Sequence, residues 1–348
     1  MFAAAVNGRL VEAQVLAAYV NQTHRLNWLT GFSQQPYYYY LPTTVEPNPD
    51  GSNTFILTPQ IQRFVIRDAF ADAYYPLSRF TRVEFGVHAT NIGLAVLQQP
   101  YLVDQFGNVL GVGDPVTQHY PGINYVSPSL GLVHDNSLFG YTGPFAGARS
   151  RLQVSPSLGD WQFVSGLADW RRYFFARPFT LAVRGVFFGR YGRDANQFQT
   201  FLGSTELIRG YTAGSLINNE CAQGATATGV TGCPDLDRLI GSKIALANVE
   251  LRFPLTRNVM LGFLPIGLPP IEAALFYDVG LAWNSGDVIK WQRDPGDDLE
   301  HVRQPLKSWG GSIRANLLGL LVLRLDYTKP LDRAHGNPYW TVSLGPTF

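Results

Sequence analysis

Apolar and polar residues alternate along much of the chain with a period of two. In residues 271–283 the apolar side chains share one face, while Glu272 and Asp278 lie on the other. The same pattern recurs in residues 179–191, 243–255, 321–327 and 339–348. Successive side chains of a β-strand point to opposite faces of the sheet. The pattern therefore predicts an all-β protein whose strands have two chemically different faces.

The alternating runs are numerous and long. About fourteen strands are predicted, near residues 1–7, 9–21, 25–40, 55–75, 79–100, 122–138, 143–156, 161–175, 179–191, 242–255, 271–283, 308–318, 320–331 and 338–348. Many of these runs have about 11–15 residues, whereas an ordinary strand has about 5–6. A tilted strand that crosses a membrane needs about 9–11 residues. The strand lengths therefore favour a membrane protein.

The connections between the predicted strands alternate between short and long. Short turns are predicted at 76–79, 177–178 and 318–319, and long connections at 41–53, 101–121, 192–241 and 284–307; the proline-rich stretch 256–270 is an exception. Outer-membrane barrels have short periplasmic turns, long outer loops, aromatic girdles and a polar interior. The combination predicts a transmembrane antiparallel β-barrel rather than a soluble β-sandwich, which would also alternate.

Composition and charge argue against a soluble globular domain, a nucleic-acid-binding protein and a helical membrane protein. Only 15% of the residues are charged, against about 25% in a soluble globular domain. The net charge of +1 gives no reason to expect nucleic acid as a partner. The uncharged stretches are too short, and too often interrupted by proline, for a membrane-spanning helix.

The residues that carry chemistry in enzymes are scattered. The six histidines show no metal-ligand spacing, and no nucleophile elbow, Walker loop or dinucleotide fingerprint occurs. We therefore expect no catalytic residues, no metal site and no cofactor. Cys221 and Cys233 lie in a Gly- and Thr-rich stretch, where a disulfide is preferred to two free thiols.

One motif narrows the family. Residues 201–211 read FLGSTELIRGY, and ALANVELRFPL, FYDVG, RLDYTKPL and WTVSLGPTF follow in that order. Here the chain resembles the BamA/TamA-type outer-membrane assembly barrels, also called the bacterial surface antigen family. The sixth outer loop of that family has a glycine-rich lead followed by (V/I/L)-R-G-(F/Y). The resemblance is good over residues 179–348 and diffuse over 1–178.

The resemblance implies roles for individual residues. Residues 192–241 would form a long outer loop folded into the lumen, with Gly203, Arg209, Gly210 and Tyr211 as its motif. Asp278 is implied as the lumen partner of Arg209, and Glu250 or Asp326 could take its place. A buried arginine needs such a bidentate carboxylate partner. The closing residues Trp340, Val342, Leu344 and Phe348 resemble the last strand and its terminal signal.

The same resemblance implies architecture and function. Residues 1–348 would form one barrel domain of the 16-stranded type, with about two N-terminal strands and any periplasmic domain missing. The implied function is insertion or export of outer-membrane proteins, without catalysis, in the bacterial outer membrane. Its partners would be membrane lipid, client outer-membrane proteins and periplasmic accessory proteins or domains. The alternative is a passive pore, or a membrane anchor or secretion barrel for a separate soluble domain. A loop that is only structurally fixed by Arg209 is also an open alternative.

Overall fold

The structure is a computed structural model. It describes residues 2–5, 12–50, 52–215, 234–256, 259–260, 267–268, 270–292, 294, 297, 301–317, 321–333 and 336–345. Within these residues no helix is both long and apolar enough to cross a membrane.

The described residues form an almost entirely β structure. The strands are β1 (Phe2–Ala5), β2 (Gln14–Asn21), β3 (Asn27–Pro47), β4 (Thr54–Pro76), β5 (Thr81–Gln98), β6 (Tyr101–Asp104), β7 (Val109–Val112), β8 (Val116–Asp135), β9 (Leu138–Phe139), β10 (Pro144–Gly159), β11 (Phe163–Ala176), β12 (Phe179–Tyr191), β13 (Thr200–Phe201), β14 (Ile240–Gly241), β15 (Lys243–Thr256), β16 (Val259–Met260), β17 (Gly267–Leu268), β18 (Ile271–Trp283), β19 (Val288–Ile289), β20 (Val302–Arg303), β21 (Leu306–Leu317), β22 (Leu321–Pro330) and β23 (Tyr339–Leu344). A 3₁₀ turn (Ala213–Ser215) and one helix, α1 (Pro234–Asp237), lie in the long connection after β12. Each predicted strand has its counterpart here, so the predicted all-β, antiparallel class is confirmed.

The chain divides into two compact units. The first unit comprises Met1–Tyr75, Glu84–Ser129 and Pro156–Gln162, and the second comprises Pro76–Val83, Leu130–Ser155 and Phe163–Phe348. In the first unit, β1, β2, β3 and β4 pair in succession, each antiparallel to the next. In the second unit, antiparallel pairing runs from β11 through β12, β15, β18, β21 and β22 to β23.

Two long connections of the first unit differ from their prediction. Residues 41–53 were expected to be a loop, but β3 extends to Pro47 and pairs with β4, whose first residue is Thr54. The pairing register shifts between Leu41 and Thr44, because a proline cannot donate a ladder hydrogen bond and is tolerated at a bulge. Pro42 thus interrupts the alternation without ending the strand.

The expected loop 101–121 is also largely strand. It contains the β6–β7 hairpin, and β6 pairs with the extended part of β4. Strand β8 begins at Val116, well before the predicted start at residue 122. Here strand pairing with the long β3–β4 hairpin outweighs the turn signals in the sequence.

The strands of the second unit have one apolar and one polar face, as their alternation predicts. Leu251, Leu275 and Tyr277 point outward and are exposed, whereas Glu250 and Asp278 on the opposite face are fully buried. The register places Asn248 opposite Asp278, and Asp278 opposite Ser308. Because aligned residues in neighbouring strands share a face, their polar side chains form one continuous interior row.

Candidate functional site

The segment that carries the Arg-Gly-Tyr motif packs on the interior face of the second unit. Strand β13 pairs with β14 at the two ends of the long connection. A hydrophobic cluster joins this connection to the sheet: Val186, Leu202, Ile208, Tyr211, Leu239, Ile244, Leu246, Ala282 and Leu306. Burial of each large apolar side chain contributes about 1.5–3 kcal/mol. The motif is thus carried by a packed segment.

Two glycines allow the close approach of this segment. Gly210 has a φ of +89°, a left-handed conformation that side chains other than glycine rarely adopt. A Cβ atom at Gly203 would collide with the carbonyl oxygen of Tyr211 and with the ring of Phe201. Both positions therefore require glycine for the observed path of the chain.

Arg209 lies at the centre of the contacts between the segment and the sheet. Its Nε and Nη2 donate to Asp278 Oδ2 and Oδ1, both at 2.7 Å, and its Nη1 donates to Glu250 Oε1 at 2.7 Å. The guanidinium carbon also lies 3.5 Å from the centre of the Phe276 ring, a cation–π arrangement. The side chain of Arg209 is buried together with both carboxylates.

The charge state of Arg209 follows from these neighbours. Burial by itself would lower the pKa of Arg209, but Asp278 and Glu250 raise it above its ordinary value. Arg209 is therefore a permanent cation whose charge depends on two carboxylates for compensation.

Glu250 binds three guanidinium groups at once. In addition to Arg209, Arg314 Nη2 lies 2.7 Å from both of its oxygens, and Arg252 Nε donates to Oε2 at 2.8 Å. Arg314 Nη1 lies 3.7 Å from Glu272. With Asp278, the three carboxylates balance the three arginines, which lowers the cost of burying so many charges.

The backbone of the segment is held by polar side chains of the sheet. Arg184 donates to the carbonyl oxygen of Glu206 at 2.8 Å, Arg324 donates to that of Thr205 at 2.9 Å, and Asn248 donates to that of Leu207 at 2.9 Å. Three successive carbonyl groups thus receive hydrogen bonds from three different strands. Hydrogen bonds from charged donors are about twice as strong as neutral ones.

Tyr211 and Gly210 connect the segment to the turn that follows β22. The Tyr211 hydroxyl donates to Lys307 O at 2.7 Å and accepts from Asp332 N at 3.1 Å. Arg333 Nη1 donates to Gly210 O at 3.1 Å. Burial raises the pKa of Tyr211, so the hydroxyl remains a donor at ordinary pH.

The structure brings together most of the residues singled out in the sequence, but not all. Gly203, Arg209, Gly210 and Tyr211 lie against Asp278 and Glu250, which contact Arg209 together rather than as alternatives. Asp326 is buried and lies 3.0 Å from Arg324 Nε.

The remaining predicted residues lie elsewhere. Trp340, Val342 and Leu344 are exposed on the outward face of β23. Cys221, Cys233 and Phe348 lie outside the described residues.

Sequence reasoning missed two kinds of contact. Phe276 lies two residues before Asp278 and therefore on the same, polar face of the strand. This spacing could have predicted the contact of Phe276 with Arg209. Asp332 and Arg333 carry no comparable signal, because their contacts depend on the path of the loop. Within the described residues, no group of His, Cys, Asp and Glu side chains is placed to hold a metal ion.

Comparison with known proteins places the chain in a family. The Omp85 superfamily domain matches residues 140–348, more than half of the chain. No curated protein matches the sequence. Among solved structures, the chain is similar to BamA from Haemophilus ducreyi lacking POTRA domains 1–3, with 12% identity and a TM-score of 0.46. That similarity covers 94% of this chain and 69% of the other. The family match confirms the predicted BamA/TamA-type barrel and its outer-membrane location, and the chain belongs to the Omp85 superfamily of outer-membrane assembly and translocation barrels.

Proposed function

We propose that this chain is a non-enzymatic barrel that inserts or exports outer-membrane proteins, and that the Arg209 segment braces its lumen. In this proposal residues 1–348 are one barrel domain, and residues 192–241 fold into it. The partners are membrane lipid, client outer-membrane proteins and periplasmic accessory proteins or domains. Membership of the Omp85 superfamily supports the transport class.

The observation that carries the bracing role is the shared coordination of Arg209. Its guanidinium joins a carboxylate of β15 to a carboxylate of β18. Removing one partner of a buried ion pair costs about 3–5 kcal/mol, because the other charge stays buried without compensation. Because β15 and β18 are already paired with each other, Arg209 fixes the segment to this strand pair, and the segment braces the lumen during transport of a client.

A depletion experiment tests the transport function. The full-length protein is depleted from its host, and folded outer-membrane proteins are quantified by their heat-modifiable migration. We expect their folded fraction to fall and to be restored by the wild-type gene. If their assembly is unchanged, the insertion proposal is wrong and the passive pore or anchor is favoured.

A variant pair tests the role of Arg209 separately. We expect Arg209→Ala to leave the protein in the membrane but to make residues 192–241 sensitive to added protease. Arg149→Ala is the matched control, because Arg149 pairs with Asp135 at 3.6 Å and is well exposed. Equal protease sensitivity of the two variants would show that Arg209 does not hold the segment. If Arg209→Ala restores the assembly of outer-membrane proteins in the depleted host, the role of this arginine is only structural.

A further inference from the structure

The turn that follows β22 is bound by two separate parts of the long connection after β12. Arg333 Nη1 donates to Ser215 Oγ at 2.9 Å and to Gly210 O at 3.1 Å, and its Nη2 donates to Ser215 O at 2.9 Å. Just after α1, Arg238 Nη1 donates to Asp332 O at 2.9 Å. The long connection therefore holds this turn through charged donors, whose hydrogen bonds are the stronger ones.

The first residue of β23 is bound by the same part of the long connection. The Tyr339 hydroxyl donates to Ser215 Oγ at 3.0 Å and lies 3.4 Å from Thr212 Oγ1. The Ser215 hydroxyl accepts from Arg333 and Tyr339 and donates to Thr212 O at 2.6 Å. These contacts use its one donor and both of its lone pairs. Ser215 thus joins the long connection to the turn and to the last strand at once.

The hairpin of β22 and β23 is weakly bonded on the rest of its interior face. Strand β23 pairs with β22 over six residue pairs, whereas β21 and β22 pair over ten. Both carboxylate oxygens of Asp326 and the hydroxyls of Thr328 and Thr341 are buried and have no hydrogen-bond partner within the described residues. Buried polar atoms without a partner destabilise the fold around them. The contacts at the start of β23 therefore matter more to this hairpin than its short pairing alone suggests.

We propose that Arg333 is a positioning residue through which the motif segment holds the last strand, so that displacement of the segment releases the first residues of β23. Arg209 fixes the segment to β15 and β18, and β23 lies three strands beyond β18 in the order of pairing. With about 4.8 Å between neighbouring strands, these two attachments act on parts of the sheet about 14 Å apart. The inference rests on the proposed function only in naming a client as the molecule that displaces the segment.

Hydrogen exchange of the β23 amides tests this coupling without a client. The full-length protein is placed in phospholipid nanodiscs, and exchange is followed by mass spectrometry in peptides from β23 and from β18. We expect Arg333→Ala to speed exchange in β23 by about tenfold or more, since it removes charge-assisted hydrogen bonds, and to leave β18 unchanged. Arg190→Ala is the matched control, because Arg190 also donates to a carbonyl and a hydroxyl of the long connection, Phe198 O and Thr200 Oγ1, but lies on β12.

The sharpest test is Arg209→Ala, which loosens the motif segment at a distance from the last strand. We expect it to speed exchange in β23 as well. Unchanged β23 exchange in Arg209→Ala or in Arg333→Ala, or an equal increase in Arg190→Ala, would overturn the proposal. Asn248→Ala, which removes the hydrogen bond to Leu207 O, replaces Arg209→Ala if that variant fails to fold, and heat-modifiable migration identifies the folded samples. Because no client is present, a negative depletion experiment would refute the transport function and leave the result on β23 standing.

Discussion

The two units of the chain bury their interior charges to different extents. In the second unit Arg314, Glu250 and Asp278 are fully buried. In the first unit His88 Nδ1 lies 2.7 Å from Asp68 Oδ2, but their side chains keep 38% and 18% of their surface exposed. Both sets of residues lie on strands in which apolar and polar residues alternate. This alternation alone therefore does not determine how deeply a charged side chain is buried.

The difference comes from what covers the strands. In the second unit the motif segment and its apolar cluster lie on the charged face and exclude solvent. The same charge pair interacts several times more strongly away from water, and it is also more costly to leave unpaired. The interior of the second unit is thus stable only while all its charges are compensated, whereas the partly exposed pair of His88 and Asp68 in the first unit is expected to tolerate the loss of a partner.

Among the changes that test this difference between the two units, loss of the Glu250 charge is expected to lower the free energy of unfolding most. Glu250→Gln keeps the volume of the side chain but leaves Arg209, Arg252 and Arg314 without their shared carboxylate. We expect the free energy of unfolding to fall by about 3–5 kcal/mol. The measurement is the urea midpoint of the folded protein in lipid vesicles.

The first unit provides the control for that measurement. Glu12 pairs with Arg63 at 3.2 Å, and its side chain is 22% exposed. The Arg63 side chain is only 6% exposed, so Glu12→Gln also leaves a buried cation without its carboxylate. We expect it to cost less than Glu250→Gln, because Glu12 pairs with one arginine and Glu250 with three. Equal losses in the two variants would mean that the cover over the second unit does not determine the cost.

Much of the second unit could be predicted from its sequence. Alternation assigned the faces of β12, β15, β18, β22 and β23, because apolar residues recur at alternate positions of these strands. The resemblance implied Asp278 as the partner of Arg209. It did not imply that Glu250 would bind three arginines simultaneously, since that depends on where β15, β21 and the loop meet.

The first unit was harder to predict for a local reason. Pro42 and Pro47 interrupt the alternation of β3, although the strand continues through a bulge and is held by β4. Likewise, β6 of the β6–β7 hairpin pairs with the extended part of β4, which is far from it in the sequence. A local sequence pattern does not show which distant segments pair as strands. The strands of the first unit were therefore predicted, but their boundaries differ from the prediction.

A smaller loss of stability is expected when a neutral group that holds the motif segment is removed. Tyr211→Phe keeps the buried ring but removes the hydroxyl that bonds to Lys307 O and Asp332 N. The Asp332 N–H then loses its acceptor, while Lys307 O still accepts from Leu331 N at 2.9 Å. We therefore expect a loss of about 1–3 kcal/mol. The measurement is the urea midpoint, with Tyr277→Phe as the control, since the Tyr277 side chain is exposed on the outward face. Indistinguishable midpoints would show that the hydroxyl does not stabilise the segment.

The smallest effect is expected in the first unit, at the pair of His88 and Asp68. Asp68 Oδ1 also accepts from Thr90 Oγ1 at 2.9 Å, and His88 Nε2 lies 3.5 Å from Asp72. Asp68→Asn keeps the size of the side chain and leaves Asp72 near the imidazole, so we expect a loss of about 1 kcal/mol or less. Because salt screens exposed pairs more than buried ones, the difference from wild type should shrink as salt is raised from 0.01 to 1 M. The loss caused by Glu250→Gln should change little over the same range. A loss for Asp68→Asn that is as large and as insensitive to salt as that for Glu250→Gln would show that this pair is as well shielded as the interior of the second unit.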